Sequence, residues 1–154
     1  MKTVIIEDEK AAVRNLTSLL NEVKPEAEII AILDSINSTI EWFGIHPMPE
    51  LVFMDIHLAD GSAFEIFDHI SITCPIIFTT AYDEYALRAF KVNSIDYLLK
   101  PIDPEELTHA VDKAVQVVLR KQENKRMQNL LQNTQVLDKQ KKIALSVADK
   151  IEFV

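Results

Sequence analysis

In this chain of 154 residues, four short apolar runs each lead directly into a residue type that can do chemistry. Glu7 and Asp8 follow the first, Asp55 another, Thr80 another and Lys100 the last. If the runs are parallel strands, three carboxylates, a hydroxyl and an ammonium meet at one edge of a sheet. Clustered carboxylates repel and raise one another's proton affinity unless a cation relieves them. Mg²⁺ suits such a cluster, because it takes a couple of hard carboxylate ligands and keeps places for water and phosphate oxygens. An aspartate beside that ion can attack a phosphoryl group and become an acyl phosphate. Such a transfer needs mainly alignment and charge neutralisation, and Lys100 and Thr80 would contribute a positive charge and a hydrogen-bond donor. Taken singly, each element has a plainer reading. An acidic pair after a strand also caps helices, and an aspartate there also forms turns. Thr80-Ala81 and Lys100-Pro101 would pass as ordinary strand exits. The weight lies in the joint placement.

The elements that must position these residues are legible as two alternating periods. Nearly continuous apolar, β-branched runs occupy residues 3–6, 28–33, 51–54, 75–79 and 95–99, as expected of parallel strands covered on both faces. Helical spacing links Ala11, Leu16, Leu19 and Leu20, then Ile36, Ile40 and Phe43, then Phe64, Phe67 and Ile70. It returns at Tyr85, Leu87, Ala89 and Phe90, and finally at Leu107, Val111, Ala114, Val115 and Val118. Asp103-Pro104 opens the last of these in cap-then-proline order. Five β–α units in strict alternation predict an α/β, doubly wound parallel sheet. Ligands of such sheets bind outside the carboxyl ends of the strands, where the residues above fall.

Composition bounds the rest. With 48% hydrophobic and 26% charged residues, 2 Gly and 6 Pro, the chain is neither disordered nor fibrous. One cysteine, Cys74, allows no internal disulfide, and the acidic N-terminus is no secretory signal. No apolar stretch is long enough for a bilayer. A cytoplasmic protein without membrane contact is expected. Residues 1–119 hold 8 basic and 20 acidic residues, net −12, whereas 120–154 hold 8 basic and 4 acidic, net +4, together the overall −8. An acidic body of this kind does not grip nucleic-acid phosphates. The charge change suggests a domain at 1–119 and a polar, partly helical linker at 120–141. Residues 142–154, with Ile143, Leu145, Val147, Ile151 and Phe153 alternating, are expected to be the first strands of a truncated β-rich domain.

The motifs IIEDE, FMDIHLADG, IIFTTA and DYLLKP resemble the receiver domain of two-component response regulators. The stretch TAYDEYALRAFKVNSIDYLLKPI and the ending KIALSVADKIEFV are similar to the LytTR (LytR/AlgR) family. The resemblance implies a flavodoxin-like (βα)5 fold with strand order 2-1-3-4-5. It implies that Asp55 is the phosphoacceptor and that Glu7, Asp8, Asp55 and the backbone carbonyl of His57 surround Mg²⁺, Glu7 mainly through water. Thr80 and Lys100 would contact the phosphoryl group, Tyr97 would be the aromatic switch residue, and the Lys100–Pro101 bond would be cis. The implied partners are a sensor histidine kinase, a second copy of the chain on activation through residues 82–93, and DNA only through a missing C-terminal domain. The implied activity is a signalling switch that assists its own phosphotransfer and dephosphorylation, not a metabolic enzyme. Two positions depart from the family pattern. Glu7 stands where Asp is commoner, and Ala59 replaces a frequent proline, leaving the loop after Asp55 freer. A different function stays open at this point, a Mg²⁺-dependent phosphohydrolase with an aspartyl nucleophile, although its second acid would fall on His57. A module that has lost phosphorylation is disfavoured by the intact Asp8, Asp55 and Lys100.

Overall fold

The computed structural model describes residues 1–81 and 94–149, with side chains described for 1–81 and 96–133. Five strands form a parallel sheet: β1 (Lys2–Ile6), β2 (Glu28–Leu33), β3 (Leu51–Asp55), β6 (Ile76–Thr80) and β7 (Ser94–Leu99). Their order is β2-β1-β3-β6-β7, which is 2-1-3-4-5 when only strands of this sheet are counted. The expected α/β, flavodoxin-like sheet is therefore the fold. All five residues of β3 and of β6 are buried, which is why these runs carry no polar alternation.

Two apolar layers cover the sheet. On one face, Leu16 and Leu20 of α1 (Lys10–Val23) and Leu107, Ala110, Val111 and Ala114 of α3 (Pro104–Asp149) pack on Ile5, Phe53 and Ile77. On the other, Ile36 of α2 (Ile36–Ile45) packs with Ala63 and Ile66 on Val4, Met54 and Phe78. Successive strand residues point to opposite faces, so each strand feeds both layers. The first turn of α3 is capped by Asp103, whose carboxylate accepts the Glu105 N–H at 2.9 Å.

The third crossover differs from expectation. In place of an α-helix through Phe64, Phe67 and Ile70, a 3₁₀ helix covers Ala63–Asp68. Residues 71–73 are Ser-Ile-Thr, two of them β-branched, and Pro75 follows, so little sequence is left for regular α-helical turns. Before it lies an unanticipated antiparallel ribbon, β4 (His57–Leu58) with β5 (Gly61–Ser62). The expected fourth helix, with Tyr85, Leu87, Ala89 and Phe90, and the candidate dimer surface at 82–93 lie outside the described residues.

The chain divides into compact units at Met1–Val118 and Leu119–Val154. Residues 120–141, expected to be partly helical, are helical, but the first expected strand is corrected, because α3 runs through Asp149 and takes in Ile143, Leu145 and Val147; Ile151 and Phe153 lie outside the described residues. No glycine or proline interrupts 105–149, and Lys, Gln, Leu and Ala favour helix. An isolated hairpin, by contrast, is marginal in water. Residues 150–154 lie outside the described residues. Met127, Leu130 and Leu131 are each 60% exposed. No described helix is long and apolar enough to cross a membrane.

Candidate functional site

The parallel register brings the strand-end residues together. Ile6 pairs with Met54, Asp55 with Thr79, and Thr80 with Leu99, so Glu7, Asp55, Thr80 and Lys100 reach one edge of the sheet. Backbone bonds secure that edge: the Glu7 N–H donates to the Leu33 carbonyl at 2.8 Å and the Lys100 N–H to the Thr80 carbonyl at 2.8 Å. The Lys100–Pro101 peptide bond is cis.

Glu7, Asp8 and Asp55 each offer a carboxylate oxygen, all within 4.8 Å of one another. Glu7 is 5% exposed and Asp55 6%. Lys100 Nζ lies 2.5 Å from Glu7 Oε1 and 3.1 Å from Asp55 Oδ2, bridging the two. The other Asp55 oxygen accepts the His57 N–H at 3.3 Å, and Glu7 Oε2 accepts the Glu9 N–H at 3.2 Å. Of the sequence-predicted residues, Glu7, Asp8, Asp55 and Lys100 are thus brought together. Thr80 is fully buried at the end of β6. It shares a sheet face with Phe78, whose neighbour across the ladder is Tyr97, and Tyr97 is partly buried against that layer. The backbone N–H of His57 enters the cluster through Asp55, and the residue is exposed.

Electrostatics follow from burial. Desolvation pushes the Glu7 carboxyl above its ordinary range; the Lys100 hydrogen bond opposes this, and the nearby Asp55 carboxylate adds to the rise. Burial disfavours the Lys100 charge, but the Glu7 and Asp55 carboxylates outweigh it and raise the lysine above its ordinary value. Three carboxylates against one ammonium leave an excess of negative charge around hard oxygen donors, a composition that fits a divalent cation. One consequence concerns pH. A carboxyl with a raised folded pKa contributes stability below its ordinary value near 4.5 and loses it as pH rises through the folded value. In chelator-treated protein, Glu7→Gln should therefore gain stability relative to wild type as pH rises through that window. Urea denaturation across pH measures this; a pH-independent difference would contradict it.

Asp60 escaped the sequence reading. Its carboxylate caps α2, Oδ1 accepting the Ile36 N–H at 2.9 Å and Oδ2 the Asn37 N–H at 3.3 Å. These bonds, the first above all, hold it below the ordinary aspartate range. The Asp60-Gly61 dipeptide was the available signal, since Asp-Gly marks a tight turn, but it does not name the helix that the turn meets.

Comparison with known proteins agrees with this geometry. The family described as "Response regulator receiver domain" matches residues 3–112. The chain is 38% identical over 117 residues to the sensory transduction protein LytT of Enterococcus faecalis, covering 74% of this chain and 48% of that protein. It is 34% identical over 157 positions to LytT of Bacillus cereus, covering all of this chain and 62% of that one. It thus spans about half to three-fifths of the length of these relatives. The response regulatory domain of mrkE from Klebsiella pneumoniae superposes with a TM-score of 0.69 at 25% identity, over 78% of this chain and 99% of that one. From the acid-lined strand edge, the 2-1-3-4-5 sheet and these similarities together, the chain belongs to the response regulator family, of the kind represented by LytT and LytR, and carries its receiver domain.

Proposed function

We propose that this chain is the phosphoacceptor switch of a two-component phosphorelay, with Asp55 receiving a phosphoryl group from a histidine of a sensor kinase in a Mg²⁺-dependent reaction. The observation that carries the reading is the buried Asp55 carboxylate inside the Glu7, Asp8 and Lys100 cluster. Glu7, Asp8, Asp55 and the His57 carbonyl would hold Mg²⁺, which when bound neutralises charge on the phosphoryl oxygens. A carboxylate oxygen of Asp55 attacks phosphorus, the bond to the donor nitrogen breaks, and an acyl phosphate remains on the protein. Lys100 is already charged between Glu7 and Asp55, so it needs only a short movement to reach the incoming oxygens. Thr80, drawn toward the phosphoryl group, would vacate space on the face it shares with Tyr97, a charge change read out by packing.

For the whole protein we propose transcriptional output through a DNA-binding domain of LytTR type, with homodimerisation on activation. The name of a longer relative, the transcriptional regulatory protein LytR of Staphylococcus aureus, supports this reading. The phosphohydrolase alternative would require an acid two residues after Asp55, where His57 presents an exposed imidazole.

Incubation with Mg²⁺ and a small acyl phosphate tests the proposal. Intact mass should rise by one phosphoryl group, and hydroxylamine should remove it, as expected of an acyl phosphate. Unchanged mass beside a working control receiver would refute it.

A further inference from the structure

We propose that Asp60 is a positioning residue for this site: it ties the ribbon after Asp55 to the N-terminus of α2 and so sets where the Asp55 carboxylate and the His57 carbonyl lie. The proposal rests on the phosphoacceptor reading for its consequence, and on geometry of its own for its cause.

Immediately after Asp55 the chain turns back on itself. His57 pairs with Ser62 and Leu58 with Gly61, and the Ala63 N–H closes the base on the Ile56 carbonyl at 2.8 Å. The tip is Ala59-Asp60. Gly61 has φ 139°, and a β-carbon there would come within 3.3 Å of Ile36 Cδ1 and of a Glu65 oxygen. The ribbon therefore lies close against the first residue of α2, an approach that glycine permits.

At that helix end the division of labour is unusual. The first four N–H groups of a helix have no partner within it. The side chain of Ser35, the residue before the helix, accepts the Ser38 N–H at 3.0 Å, and its carbonyl accepts the Thr39 N–H at 3.1 Å. The Ile36 and Asn37 N–H groups are taken by the two oxygens of Asp60, from 24 and 23 residues away. These are charge-assisted bonds at the positive end of a helix dipole, so the tip is held electrostatically as well as by its own ladder. Ala59 imposes none of the φ restriction a proline would, which leaves the carboxylate as the tether of the tip. The other end of the same ribbon carries the His57 N–H that holds Asp55 Oδ1 at 3.3 Å. A shift of the tip is thus passed, over three residues, to the group that orients the acceptor. Leu58 (7% exposed) and Ile56 (fully buried) anchor the underside of the ribbon, so the fold survives loss of the tether.

The test uses the full chain with Asp60→Ala, Asp60→Asn and Ser35→Ala, the last removing the other cap of the same helix. Phosphoryl uptake from an acyl phosphate is followed by intact mass across a Mg²⁺ titration, together with the Mg²⁺-induced shift in melting temperature. For Asp60→Ala, the Mg²⁺ concentration giving half-maximal uptake should rise about tenfold, the scale on which groups that orient metal ligands act. Asp60→Asn, which keeps one carbonyl acceptor, should fall between. Ser35→Ala should lower stability yet leave the Mg²⁺ dependence as in wild type. Wild-type Mg²⁺ dependence in both Asp60 variants, or an equal change in Ser35→Ala, would overturn the proposal and reduce Asp60 to a helix cap. If wild type takes up no phosphoryl group, the phosphoacceptor reading fails instead, and the melting-temperature titration alone still decides whether Asp60 positions the acidic cluster.

Discussion

Asp55→Asn is expected to take up no phosphoryl group under conditions that label wild type, a loss of more than about a thousandfold, as when a covalent nucleophile is removed. The substitution preserves shape at a position only 6% exposed, so the surrounding strands need not move. What it removes is the anionic oxygen that attacks phosphorus, and one of three charges that would bind the divalent ion. The Mg²⁺-induced rise in melting temperature should shrink with it. Intact mass and thermal melting with and without Mg²⁺ measure both effects. Persistent labelling of the variant, mapped to Asp8 or Glu7, would move the acceptor elsewhere in the cluster.

The largest expected effect on stability comes from Phe53→Ala. Phe53 is 1% exposed in the middle of β3 and packs with Leu16 and Leu20 of α1 and Leu107 and Val111 of α3. Deleting the ring leaves a cavity that parallel strands on both sides prevent from collapsing, at a cost of about 3–5 kcal/mol. Total stabilities of domains are about 5–15 kcal/mol, so the variant should lose much of its margin in urea denaturation. Ile45→Ala is the control. Ile45 is 81% exposed at the end of α2, and its truncation should change stability by less than about 0.5 kcal/mol. Equal losses in the two variants would mean that the two-layer core is assigned to the wrong residues.

Most of the fold was legible because its signals are local. The runs at 51–54 and 75–79 are apolar at every position because β3 and β6 are covered on both faces. Leu16 and Leu20 recur at helical spacing because one side of α1 meets the sheet. At the third crossover and at residues 143–149 the local signals are short, and there the structure departs from the sequence expectation. Six residues with two aromatics do not distinguish a 3₁₀ helix from an α-helix. Period-2 alternation in Ile143, Leu145 and Val147 counts for little when the preceding helix has no glycine or proline to stop it.

The sequence by itself determined the kind of chemistry available: which residue types follow which strands, and hence that acids, a hydroxyl and an amine stand at one sheet edge once the strands run parallel. That much depends on period and order along the chain. Only the tertiary structure decided which groups touch. Lys100 bridges Glu7, 93 positions away, as well as Asp55, and Asp60 reaches back to the amides of α2. Such pairings depend on strand register and on the path of a loop, and these are settled when the whole core packs, not by the residues beside each partner.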